Sequence, residues 1–326
     1  MTPKPDVAAD PPWVGPDGQR VERLELHLSY ACPNHCWFCS EDHRMERFRE
    51  FPVSYPRVVA VLRRHVERGV NSVLLTGGEP TIHPRFVDIL VVARKLALRT
   101  STSTNSIMLS REPFARQVLP LLDECMFSLH GPTAAVHEDM TRRAGSFDQV
   151  VQAARLARVV MPDLAVCVNI VLTRRNADHL GDTVALAVDL GASLIVVSNV
   201  SPEGRGLDHY AELAVPLAEL AERLPAVVDR AGDRILRFFG VPLCLLGPHA
   251  MLSNDLHWDP RVTVEWTSRP GKVVLEDVYT WTAGRERAYV EACQSCLQRG
   301  NCRGVFARYR ELFSTDALRP IVREVV

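Results

Sequence analysis

The chain of 326 residues carries 38 Lys and Arg against 39 Asp and Glu, a formal charge of −1, so no net basic field draws it to nucleic acid or to an anionic membrane. With 47% apolar residues it can bury a large core, yet no apolar run reaches the roughly 18 residues that a membrane span needs. The first 18 residues are rich in Pro and Asp without an apolar signal core, which excludes secretion and places the chain in the cytoplasm, where nine cysteines read as metal ligands rather than disulfides.

Residues 1–20 hold four prolines within the first twelve positions and lack periodicity, which predicts a flexible leader. From there short apolar or β-branched runs at 24–29, 72–76, 99–104, 125–129, 165–172 and 194–198 alternate with helical patterns at 54–69, 84–96, 111–122, 147–160, 177–190 and 212–229. Six successive βα units over 21–234 predict an α/β fold with a parallel sheet and helices outside, either an open doubly wound sheet or a partial barrel. Reactive groups in such sheets gather where strands end. Cys32, Gly77-Gly78-Glu79-Pro80, Asn105, His130-Gly131 and residues 202–206 all fall there.

Alternation along the first strand turns Leu24, Leu26 and Leu28 toward helices and leaves Glu25 and His27 facing inward, as pocket groups or as a structural pair. The third strand, 100–105, is polar where a buried parallel strand should be apolar, so it faces a pocket or forms a solvated edge. If Asn169 points inward on the fifth strand, so do Cys167 and Val171; Cys167 and Cys125 read first as packing.

Cys32, Cys36 and Cys39, at x3 and x2 spacing directly after the first strand, are metal ligands. Three thiolates satisfy three irons of a [4Fe–4S] cube and leave the fourth open; a structural zinc would need His35 or His43 to close its set. Both remain open on spacing alone.

This spacing, the aromatic Phe38 before the last cysteine and Gly77-Gly78-Glu79-Pro80 after the next strand together resemble the radical SAM superfamily, and the resemblance covers most of the chain. It favours the partial (β/α)6 barrel. It implies a [4Fe–4S] cluster on Cys32, Cys36 and Cys39 whose open iron chelates S-adenosylmethionine, with residues 77–80 docking the methionyl amino group. Thr104-Asn105 resembles the family's Thr-Asn-Gly, with Ser106 in place of glycine. Ser128, in Ser128-Leu129-His130-Gly131, resembles the serine placed near the cofactor's carboxylate or ribose, with His130 replacing the usual acid. Residues 137–147 resemble a segment of peptide-maturing enzymes, and Arg142, one place off the usual arginine, is its candidate partner for the cofactor's carboxylate. Asn169 matches a polar position facing into the family's barrel.

Beyond 234 the pattern changes. Cys293-Gln294-Ser295-Cys296 with Cys302 is a strong ligand signal, and Cys244 is the natural fourth member, for zinc or for iron and sulfide. Two strand-like runs, 262–267 and 273–278, lie between, and 305–313 reads as a covering helix. This arrangement resembles the twitch or shortened SPASM extension, an α+β unit over 235–326 holding one auxiliary [4Fe–4S] cluster. The final residues Arg323-Glu324-Val325-Val326 lack the paired glycines of molybdenum-cofactor cyclases.

The resemblance implies one-electron cleavage of S-adenosylmethionine to a 5′-deoxyadenosyl radical that takes hydrogen from a substrate. A flavodoxin- or ferredoxin-type protein would supply the electron. Residues 128–147 and the tail point to oxidation, crosslinking or a related modification of a ribosomal peptide or other natural-product intermediate. With no leader-binding segment read before residue 21, a separate leader-peptide-binding protein is expected. The alternatives are dehydrogenation, coupling or cyclisation of a nucleotide, nucleoside or sugar, which the polar third strand suits, and a noncatalytic iron–sulfur or zinc protein.

Overall fold

The computed structural model describes residue 14 and residues 18–282 and 286–322. Most of the expected leader, and residues 323–326, lie outside the described residues. The first half runs β1 (Arg23–Ser29), α1 (Asp42–Phe48), α2 (Tyr55–Glu67), β2 (Ser72–Gly77), α3 (Phe86–Lys95), β3 (Arg99–Thr104), α4 (Glu112–Val118), β4 (Glu124–Ser128), α5 (Ala134–Thr141) and α6 (Ser146–Val160). It continues with β5 (Ala165–Leu172), α7 (Leu180–Asp189), β6 (Leu194–Asn199), the single turns α8 (Arg205–Asp208) and α9 (Tyr210–Leu213), and α10 (Leu217–Ala231).

Each of β1 to β6 pairs in parallel with the next, so six βα units succeed one another as the alternation predicts. Leu24, Leu26 and Leu28 of β1 are fully buried, each worth about 2 kcal/mol of burial. The helices cover that outer face. On α2 the stripe Val58, Val61, Leu62 and His65 is buried, and Pro sits in the first turn, where its missing N–H costs nothing.

The helix expected over 212–229 is split. The first segment ends at Leu213, with Ala214 already extended at ψ 130, and Pro216, extended at ψ 134, opens the next at Leu217; proline offers no donor to a preceding turn and disfavours helical backbone at the residue before it. Helices α1 and α5 were not expected; each is short and carries little apolar periodicity.

Residues after 234 extend the same sheet. Strand β7 (Ile235–Phe239) joins β6, β8 (Arg261–Arg269) joins the far side of β1, and β9 (Lys272–Thr280) pairs antiparallel with β8, giving the order β7-β6-β5-β4-β3-β2-β1-β8-β9. Between them lies α11 (Leu243–Leu246). A separate ribbon of β10 (Arg287–Ala288) and β11 (Val305–Phe306) precedes α12 (Ala307–Leu312), so the first two residues of the helix expected over 305–313 are strand instead. They pair because Gly304, at φ 73, turns the chain beside Ala288, where a Cβ would lie 2.2 Å from the Ala288 oxygen. The ribbon is fastened to the sheet by Arg287, whose guanidinium pairs with Asp255 at 2.9 Å with both side chains buried.

Candidate functional site

The sheet curls around a cavity of about 1230 Å3 at the carboxyl ends of its strands, lined by Glu25 and His27 of β1, Thr76 of β2, Ser103 of β3, Ser128 of β4, Asn169 of β5, Ser198 of β6 and Phe239 of β7. Cys32, Cys36, Cys39 and Phe38 lie in its wall.

The cysteine loop is held by backbone on three sides. The end of α5 accepts from it (His35 N to Thr141 O, 3.0 Å; Trp37 N to Met140 O, 3.2 Å), and Glu79 N donates to Ala31 O at 2.9 Å. On the third side Arg205 N donates to Cys39 O at 2.9 Å, and its Nη1 donates to Cys36 O at 3.1 Å while Nη2 pairs with Asp42. Burial, then the charge of Glu79, pushes the Cys32 thiol up to about 11, against hydrogen bonds from the Asn34 backbone and the Asn105 side chain. Burial pushes Cys39 up to about 12, and burial with the charges of Cys39 and Cys32 raises Cys36 well above its ordinary value. Three half-buried thiols raised in this way ionise together only against a cation, which is the donor chemistry of an iron cluster.

Gly77 and Gly78 lie against that loop. Gly77 has φ +124 and a Cβ there would sit 2.2 Å from Ser29 O; one on Gly78 would sit 2.5 Å from Ala31 O. Both glycines, Thr104 and Asn105 line the cavity. Glu79 and Pro80 do not. Glu79 is fully buried, and its Oε1 accepts from Thr81 N (3.1 Å), Thr81 Oγ1 (2.5 Å) and Thr104 Oγ1 (2.7 Å), its Oε2 from Asn105 N (2.6 Å). The carboxylate therefore ties the loop after β2 to the end of β3. Asn105 in turn donates its Nδ2 to Cys32 Sγ at 3.5 Å.

Strand β3 is internal, between β2 and β4, so the solvated-edge reading falls. Its polarity has two causes. Thr102 Oγ1 and Ser101 Oγ donate to the carbonyls of Leu75 and Val73 on β2, and Thr100 Oγ1 donates to Leu121 O; only Ser103, Thr104 and Asn105 reach the cavity. Ser128 and Asn169 line it, as does Val171, whereas Cys167 is buried and does not.

Arg142 is elsewhere. It ends α5 in left-handed backbone at φ 54, and its guanidinium stacks on Trp37 at 4.3 Å, with that of Arg175 at 4.7 Å from the same ring. The guanidinium of Arg143, one place further, is near enough to favour the Cys32 thiolate, though burial dominates, and its Nη1 is buried without a hydrogen-bond partner. The sequence reading missed Arg143, and Arg205 was noted only as part of its loop. The adjacent Gly204 and Gly206 were the available signal for Arg205.

His130 lines the cavity, its ring edge-on to that of Phe38 with centroids 4.6 Å apart. Its Nδ1 accepts from Val171 N at 3.2 Å, and the His130 backbone N–H donates to His137 Nδ1 at 3.1 Å. Burial, then the charge of His137, holds it well below the usual histidine range. It is therefore a neutral ring carrying its proton on Nε2, a donor where the family's acid would accept. Elsewhere on the wall, on β1, His27 lies 3.5 Å from Glu25 and 3.6 Å from Glu41. Burial opposes its charge, but Glu41 and Glu25 raise its pKa.

The remaining four cysteines converge. Cys244, Cys293, Cys296 and Cys302 line a separate cavity of about 430 Å3 with Pro242, Leu243 and Val305. Gly304 N donates to Cys302 Sγ at 3.3 Å; burial, then the charge of Cys302, pushes Cys244 up to about 11. One aromatic pair links the two cavities: Phe306, next to Val305, packs edge-on at 6.4 Å against Phe239 of the central wall.

A family comparison matches residues 26–187 to the radical SAM superfamily. The PqqA peptide cyclase of Streptomyces rochei is 32% identical over 219 residues, 67% of this chain and 58% of the relative. The mycofactocin maturase MftC of Mycolicibacterium smegmatis is 31% identical over 215 residues, 65% of this chain and 53% of the relative. Streptococcus suis SuiB bound to its precursor peptide SuiA superposes with a TM-score of 0.53 at 19% identity, over 64% of this chain and 46% of that one, a likeness of fold. The chain spans a little over half the length of the curated relatives it matches. With the cysteine loop, the two glycines and the curled parallel sheet, these matches show that the chain carries a radical SAM domain, of the superfamily whose members hold a [4Fe–4S] cluster and S-adenosylmethionine.

Proposed function

We propose that the protein is an oxidoreductase-type peptide maturase: it abstracts hydrogen from a ribosomal peptide or related natural-product intermediate and leaves it oxidised or crosslinked. The observation that carries this reading is the convergence of three thiols, the glycine pair and polar groups from six strand ends on one cavity. S-adenosylmethionine bound at the cluster would supply the hydrogen-abstracting radical. The chain's own residues do the rest. Cys32, Cys36 and Cys39 would hold three irons; Phe38, Gly77, Gly78, Thr104, Asn105, Ser128 and Asn169 line the space beside them. The names of the two relatives and the fold likeness to SuiB support a peptide substrate.

Cys244, Cys293, Cys296 and Cys302 would hold a second [4Fe–4S] cluster, with residues 235–326 as the auxiliary unit. Among the described residues no three His, Cys, Asp or Glu side chains are placed to share one metal ion. Such a cluster would accept an electron from the substrate radical left after hydrogen abstraction, and the Phe239–Phe306 contact supports a route between the two cavities. An acidic flavodoxin or ferredoxin would reduce the first cluster, and a separate protein would present the peptide. Among the described residues no helix is long and apolar enough to cross a membrane, and nine free thiols suit the cytoplasm.

The test is anaerobic. Reconstituted protein with S-adenosylmethionine and dithionite should form 5′-deoxyadenosine. Short peptides encoded beside its gene should lose two hydrogens in the same reaction. Tightly held zinc with no cleavage would overturn the enzyme reading, whereas cleavage stimulated only by nucleotides or sugars would shift the substrate to that class.

A further inference from the structure

The two edges of the sheet are treated differently. At one end β7 is covered: Phe238 bridges to Ser253, in the turns that follow α11. At the other end β9 is nine residues long and pairs with β8 alone. Among the described residues no backbone group outside β8 bonds to it. An antiparallel ladder leaves the N–H and C=O of every second residue pointing outward, so this edge is a template for another strand.

Its chemistry is local. Val273, Val274 and Leu275 line a surface groove with Arg57, Ala60, Val61 and Arg64 of α2, and no acidic residue lines it. Val273 is 40% exposed. The acids further along are already neutralised: Asp277 by Arg64 at 2.7 Å and Glu276 by Arg269. Arg57 lies over the Trp266 ring at 5.3 Å and forms no ion pair among the described residues. The groove thus offers apolar contact, free backbone and positive charge together.

Position adds the last step. Val274 and Leu275 pair with Thr267 and Trp266, on the carboxyl side of Val264, which pairs with Leu26 of β1. Residues 273–275 therefore sit level with the end of β1, where the cysteine loop begins. We infer that an extended, acidic segment of the peptide substrate, apart from its reacting residue, docks here as a tenth strand along β9. The inference rests on the peptide reading above. Three strand spacings of ~4.8 Å separate that strand from β1, so about five extended residues must join the docked segment to the reacting one.

Binding is tested on the full chain without S-adenosylmethionine or reductant, so its outcome is independent of turnover. Hydrogen exchange is followed while adding synthetic 12-residue peptides that alternate Val or Thr with Glu, and their Lys counterparts. The outward amides of 273–279 should exchange fast in the free protein and slow with the Glu series alone. Arg57→Glu should weaken binding about fivefold to tenfold at low salt, with Arg57→Lys retaining it. The inference is overturned if no Glu peptide protects β9, if Lys peptides protect it equally, or if the free chain already protects this edge. The peptide reading fails separately, through cofactor cleavage that no peptide influences.

Discussion

Glu79 belongs to a family docking segment by sequence, yet its carboxylate is wholly engaged by protein donors. Replacing it with Ala leaves the N–H groups of Thr81 and Asn105 buried without acceptors and removes the partner of the Thr104 hydroxyl. Each orphaned donor costs about 1–3 kcal/mol, and relief of the buried charge returns some of this, so the net loss should be ~3–5 kcal/mol. Gln is the sharper probe. Its oxygen can keep the three bonds at Oε1, but its NH2 then meets the N–H of Asn105 donor to donor, for a loss of ~2 kcal/mol. Urea unfolding of the metal-free protein reads both. At an m-value near 3 kcal/mol/M the Ala variant should lose ~1 M or more in midpoint. An unchanged midpoint with weakened S-adenosylmethionine binding would refute the argument and give Glu79 a direct cofactor contact instead.

Gly78→Ala should abolish cluster retention, because its Cβ would meet the Ala31 carbonyl oxygen at 2.5 Å; near-normal iron content and visible absorbance would contradict this. Serine at both 293 and 296 should lower iron by about half and keep cofactor cleavage while losing oxidised product; full product yield would remove the second cluster from the reaction. Burial opposes the charge of Glu25, but His27, Arg261 and Arg23 bring it from 4.5 to about 2. Its stabilisation is present above pH 4.5 and lost as pH falls toward 2. His27, raised, works oppositely, stabilising below 6.5 and fading as pH rises through its folded pKa. Glu25→Gln should therefore flatten the acid side of a stability profile, and an unchanged slope would show that the pair is not coupled.

The parallel sheet and its inward and outward faces were legible in the sequence because strand alternation and helical periodicity are local. Leu24, Leu26 and Leu28 had to share one side of β1, leaving Glu25 and His27 for the cavity. The cysteine loop was legible for a related reason: thiols held within a few residues of each other can serve one cluster whatever the rest of the chain does. Side-chain destinations set by distant partners were not. Nothing in Gly-Gly-Glu-Pro says that its carboxylate will be consumed by Thr81, Thr104 and Asn105, nor does residue order say that Arg142 will turn outward onto Trp37 while Arg143 turns toward Cys32. Pro216, rather than the apolar pattern around it, divided the last helix of the six units. That residues 235–280 would extend both edges of one sheet, covering β7 and leaving β9 bare, depended on long-range pairing. The energy of such pairing comes from strands far apart in the chain, so only the tertiary structure could decide it.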